Sequence, residues 1–192
     1  MQISEGLPHG SESAPTHPAM RKLQRLAHLV RWVSVGYAAW VLWNILDWWL
    51  DADKVATNYG NFIHRDLSAL AASPRYAALA LDLLAWTLLL LAVMHCWKFL
   101  NDLSQPARWS GTAARHLSLC AWFAIACEGF SELARPLQSY FLTLHLSAAE
   151  QVWKWNFRAV DLQAVLFCLS LLMFAYVFGW TMELAEENRS FV

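Results

Sequence analysis

Tyr76–Trp97 reads YAALALDLLAWTLLLLAVMHCW, 22 residues with Asp82 as the one formal charge. At about 1.5 Å per residue it reaches roughly 33 Å, enough to cross a hydrocarbon core of about 30 Å. A surface helix of a soluble protein keeps one polar face, and this stretch has none. It is read as a transmembrane helix, with three more apolar runs arranged around it at about 29–50, 116–135 or longer, and 159–180. The expected fold is all-α: an integral membrane protein with four transmembrane helices in an antiparallel bundle.

The composition agrees. The 192 residues are 58% hydrophobic and 15% charged, with a mean hydropathy of +0.32, where soluble domains carry about 25% charge. Twelve tryptophans fit membrane–water interfaces, where that side chain gathers. A net charge of −1 offers no basic face for nucleic acid. The length allows one membrane domain with short loops. Expected partners are the lipid bilayer and a homo-oligomer or a small cytoplasmic regulator; no cofactor is expected.

Cys96, Cys120, Cys127 and Cys168 all fall inside apolar runs, whereas a secreted disulfide framework places its cysteines in polar loops. They are read as small buried hydrophobes. Cys120 and Cys127 lie too far apart along a helix to clasp one metal, and no metal site is assigned. The seven histidines are scattered, with no pair placed to sandwich a haem.

Residues 1–20 are rich in Pro, Gly and Ser and read as a disordered tail. Arg21, Lys22, Arg25 and Arg31 lead into the first run, which ends on Trp48 and Trp49, an interfacial anchor. In the 51–75 loop Asp66 is placed to cap a short helix over Leu67 and Leu70. A second loop covers about 98–115. Pro136 either kinks one helix running from about His116 to His145 or breaks it near Arg135, with an interfacial helix following; the kinked form is preferred. Trp153 and Trp155 mark the next interface, and residues 183–192 form an acidic tail.

Ionisable groups at membrane depth are costly, and so are the first functional candidates. Here they are Asp47, Asp82, Glu128, Glu132, Arg135 and Asp161, with Asn44 as a neutral companion. Alternating helix direction puts all five carboxylates in one half of the bundle. Glu128, Glu132 and Arg135 share a helical face, so Arg135 can neutralise an acid, with Arg75 or Arg158 reaching another. The structural alternative is that Asp47, Glu132 and Asp161 lie near span ends, within reach of headgroup water. Asp82 and Glu128 resist that explanation best. Trp40, Trp43, Trp86 and Trp122 are read as packing residues rather than a ligand box.

The chain closes on VLFCLSLLMFAYVFGWTMELAEENRSFV, in which Gly179, Glu186, Glu187, Asn188 and Val192 stand out. With the four-pass layout, this end resembles bacterial domain-of-unknown-function family 2975, over about residues 25–192. The resemblance implies a bacterial inner-membrane protein with no established activity, sometimes encoded beside small helix-turn-helix regulators. Without a phosphate loop or a nucleophile elbow, a non-enzymatic sensing or regulatory module is expected. The alternative is a small proton- or cation-coupled transporter using Asp82 and Glu128.

Lys and Arg in the flanks set orientation. Residues 21, 22, 25, 31, 98, 108, 115 and 189 lie on one side, against 54, 65, 75, 135, 154 and 158 on the other. The excess puts both termini in the cytoplasm. A periplasm-active reporter fused after Val192 is therefore expected to be silent, and one inserted in the 51–75 loop active; the reverse pattern inverts the topology.

Overall fold

The structure, a computed structural model, describes residues 18–104 and 111–190. They form five helices and no strand: α1 (Pro18–Leu50), α2 (Ala52–Ile63), α3 (Ala72–Leu103), α4 (Gly111–Thr143) and α5 (Ala159–Ser190). Helices α1, α3, α4 and α5 are each long and apolar enough to cross a membrane. The chain is organised around α3 and α4: α1 packs on α3, α3 on α4 and α5 on α4, while the short α2 rests against α1.

The long helices outrun the apolar runs. Once nucleated, a helix gains one hydrogen bond per residue and continues through polar but helix-competent flanks. So α1 opens at Pro18, inside the expected tail, whose first 17 residues lie outside the described ones. Proline suits a first helical position, having no N–H to leave unpaired. Likewise α3 continues to Leu103 and α4 starts at Gly111, which shortens the expected second loop; Pro106, Arg108 and Trp109 lie outside the described residues. The expected acidic tail is helical through Ser190.

The 51–75 stretch needs a larger correction. Its helix is α2, ahead of Asp66, and Asp66 instead accepts from the Ser68 amide at 2.9 Å in a tight turn. Asp51 caps α2, its Oδ1 accepting from the Lys54 amide at 3.0 Å. Val55, Tyr59, Phe62 and Ile63 make its inward stripe, packed on Trp49, Leu67, Ala78 and Leu142. His64 ends the helix in the left-handed region (φ 57°, ψ 47°). There the Gly60 carbonyl accepts from the Arg65 amide at 3.0 Å, and a Cβ on Gly60 would lie 2.8 Å from the Arg65 carbonyl oxygen. Trp49, expected at an interface, is 1% exposed within this cluster.

Pro136 does not break α4, and no separate interfacial helix follows Arg135. Side-chain hydroxyls reinforce the turns after the proline: Ser139 Oγ donates to the Pro136 carbonyl at 2.8 Å and Thr143 Oγ1 to the Ser139 carbonyl at 2.9 Å. The same hydroxyls accept from the non-helical segment 151–158. The Val152 amide donates to Thr143 Oγ1 (3.1 Å) and the Lys154 amide to Ser139 Oγ (3.0 Å), while Arg135 Nη1 donates to the Asn156 carbonyl (3.1 Å). Four helical residues rise about 6.0 Å and two extended residues about 6.6 Å, so the spacings match. The segment is thus pinned along α4 at every second residue. Its alternate members Trp153, Trp155 and Phe157 are exposed.

Elsewhere the bundle is inside-out. The buried residues of α3 are Ala78, Ala85 and Ala92, one every seven residues, while Leu84 and Met94 are 50% and 41% exposed. On α1 and α5, Trp43, Phe167 and Trp180 are 70% or more exposed. Small residues at such positions let helix backbones approach closely. Trp40, Trp43 and Trp122 are exposed rather than packed inside, whereas Trp86 donates its indole N–H to the Ala38 carbonyl at 2.9 Å.

The alanine seam generates a contrast. Ala85→Leu, which overfills the α3 seam, is expected to destabilise the detergent-solubilised protein by about 1–3 kcal/mol. Leu84→Ala, on the outer face, is expected to stay within about 1 kcal/mol in a lipid nanodisc. Paired thermal unfolding measurements read the difference.

Candidate functional site

The polar side chains gather at the end of the molecule capped by α2 and the 151–158 segment. Asp82, on α3, accepts from two neutral donors: Trp49 Nε1 at 2.5 Å and Gln138 Nε2 at 2.6 Å. Gln138 is 5% exposed; its Nε2 also reaches the Ala78 carbonyl at 3.4 Å and its Oε1 accepts from the Tyr59 hydroxyl at 3.3 Å. One polar chain thus links α1, α3, α4 and α2. Burial and the negative charge of Asp82 push the Tyr59 hydroxyl up to about 12. The phenol therefore stays protonated, and the stability that this adds is present below pH 10 and lost as the pH rises towards 12.

One turn along α4, Arg135 holds Asp161 with a two-pronged grip, Nη1 to Oδ2 at 2.7 Å and Nη2 to Oδ1 at 3.0 Å. Asp161 is 4% exposed, sits in the first turn of α5 and also accepts from the Arg158 amide at 2.9 Å. Arg158 Nη2 reaches Oδ1 at 3.1 Å, and Glu132 Oε1 lies 2.6 Å from Arg135 Nη1. A helix N-terminus suits a carboxylate, and two guanidinium groups neutralise it against the cost of burial.

Between the Asp82 chain and this ion cluster lies a cavity of about 590 Å³. Trp48, Trp49, Tyr59 and Phe62 form its aromatic walls, and Asp82, Arg135, Lys154 and Arg158 bring charge to it. Lys154 Nζ donates to the Phe62 carbonyl at 2.5 Å and sits 4.1 Å from the Phe62 ring centroid. Arg135, Lys154 and Arg158 balance Asp82, Glu132 and Asp161, so the neighbourhood is formally neutral. Its size and its mix of aromatic and convergent polar groups suit a small organic ligand.

Of the residues singled out in the sequence, Asp82, Glu132, Arg135 and Asp161 come together here. Glu128 lies one turn before Glu132 and makes no hydrogen bond or ion pair among the described residues. Asp47 is exposed and pairs with Lys54 at 2.9 Å, a bond that raises the pKa of Lys54. Asn44 is exposed and its Nδ2 donates to the Trp40 carbonyl at 2.7 Å, so neither it nor Asp47 joins the cavity. Gln138, Tyr59, Asn156 and Lys154 were not singled out. A second pair also escaped: His95 of α3 and His116 of α4 approach Nδ1 to Nδ1 at 3.1 Å, towards the other end of the bundle. No group of three or more His, Cys, Asp or Glu side chains fit to hold a metal occurs among the described residues.

No family model, curated protein or solved structure matches the chain.

The network ranks its own cations. Arg135→Gln leaves Asp161 and Glu132 short of charge at a buried site, and a loss of about 3–5 kcal/mol is expected. Arg158, whose side chain is 56% exposed, is expected to cost about 1 kcal/mol or less when changed to Gln. Chemical denaturation in detergent micelles compares the two.

Proposed function

We propose that the protein is a four-pass bacterial inner-membrane protein with an antiparallel transmembrane bundle and cytoplasmic termini, acting as a non-enzymatic sensing or regulatory module. The cavity between α2, α3, α4 and the 151–158 segment is its ligand site. The observation that carries this reading is a mixed-charge, aromatic-walled cavity of about 590 Å³ lined by residues of α1, α2, α3, α4 and the 151–158 segment. An occupant there would bear on all of these together.

The membrane assignment is supported by the exposed apolar faces and by the outward Trp153, Trp155 and Phe157, suited to an aromatic belt. The antiparallel arrangement is supported by cross-helix pairs. Gln24 near the start of α1 reaches the Ser104 carbonyl after α3, and Trp49 near the end of α1 meets Asp82 near the start of α3. The likeness of the C-terminal sequence to family 2975 agrees with this assignment. A helix of 32 residues, such as α5, is about 48 Å long and outreaches a core of about 30 Å. Its final turns would stand in the cytoplasm, where a regulator can read them.

One observation favours a second reading, a proton- or cation-coupled transporter: Asp82 and Glu128 make no ion pair among the described residues. Affinity purification of the full chain in mild detergent separates the two. Recovery of a soluble cytoplasmic protein in near-equal amount is the expected result. Recovery of the chain alone favours transport, provided that its thermal stability shifts between about pH 5 and 8 and that Asp82→Asn or Glu128→Gln removes the shift.

A further inference from the structure

We infer that the cavity takes a phosphoethanolamine group, a primary ammonium joined to a phosphate ester, whether free or at the head of a lipid. This inference rests on the reading of the cavity as a ligand site. Asp82 and Lys154 are opposite charges lining one cavity with Arg135, and neither makes a direct ion pair among the described residues. Asp82 holds only the Trp49 indole and the Gln138 amide, and Lys154 only the carbonyl and ring of Phe62. A ligand carrying both signs pairs both charges at once.

The charged groups of the lining also differ in kind. Each Asp82 oxygen takes one donor in the protein and keeps a lone pair for another, and Trp48, Trp49 and Tyr59 line the cavity with it. Aromatic faces with a carboxylate suit an ammonium, and the free lone pairs favour a primary one, which has N–H groups to donate. Lys154 and Arg158 line the same cavity, and Arg158 holds Asp161 through Nε and Nη2 while its Nη1 makes no hydrogen bond among the described residues. Guanidinium and ammonium together match the several oxygens of a phosphate ester.

The test uses the full chain in maltoside micelles, with binding read by calorimetry and thermal shift. The probes are glycerophosphoethanolamine and dihexanoyl phosphatidylethanolamine, each set against its amine-free counterpart, glycerol phosphate and dihexanoyl phosphatidic acid. An amine-bearing probe is expected to bind at least tenfold tighter than its counterpart. Binding by the short-chain lipid alone assigns a lipid head, and binding by the soluble ester as well assigns a free ligand. Asp82→Asn is expected to erase the amine preference and leave amine-free binding intact. Lys154→Gln, on the segment rather than a helix, is expected to weaken both classes at least tenfold, and serves alone if Asp82→Asn does not fold. Equal binding of amine-bearing and amine-free probes overturns the zwitterion while leaving an anion site. Binding by none of the four, with Asp82→Asn/Lys154→Gln no less stable than either single variant, makes the two charges a water-bridged pair and removes the ligand site as well.

Discussion

The grip of Arg135 on Asp161 is the contact on which the rest of this end of the protein depends. It ties α4 to the first turn of α5, and with Asp161 4% exposed it must be made well or cost several kcal/mol. It also fixes where the preceding segment can run, because the same guanidinium donates to the Asn156 carbonyl. From there Ser139 and Thr143, each four residues further along α4, hold Lys154 and Val152. One face of one helix thereby supplies the hydrogen-bond partners of a non-helical backbone.

The cavity follows from that arrangement. With the 151–158 segment drawn along α4, Lys154 is brought to Phe62 of α2, and α2 is held over Asp82 through Tyr59 and Gln138. The apolar cluster of Trp49, Val55, Ile63, Leu67, Ala78 and Leu142 fills the space behind and is the one place where large side chains are fully buried together among the described residues. The other helix contacts run largely through alanines, as on the α3 seam. The structure is therefore polar and linked by hydrogen bonds at one end, with large apolar side chains exposed along the helices elsewhere.

Much of this was legible in the sequence, and the limits have physical reasons. The four apolar runs, the face shared by Glu132 and Arg135, and the reach of Arg158 to an acid follow from length, period and charge. Depth was readable but direction around the helix was not. Asp47 and Trp49 sit two residues apart and so on different faces of α1, which turns Asp47 to solvent and Trp49 inward to Asp82. The α2 signal was present, an Asp51 cap followed by Val55, Tyr59 and Ile63 at helical spacing, but Asn58, Gly60 and Asn61 read as loop. Gln138, Ser139 and Thr143 are uncharged polar residues after a proline, and only the partners folded against them reveal their role. His95 and His116 stand on different helices, and only the packing of α3 on α4 brings them together.

Helix α4 pins the 151–158 segment at alternate residues. Residue-resolved amide hydrogen exchange on the protein in lipid nanodiscs tests it most directly. Slow exchange is expected at Val152, Lys154 and Arg158, whose amides donate to Thr143, Ser139 and Asp161, and fast exchange at Trp153, Trp155 and Phe157 between them. Uniformly fast exchange from 151 to 158, or protection on the aromatic residues instead, would contradict it.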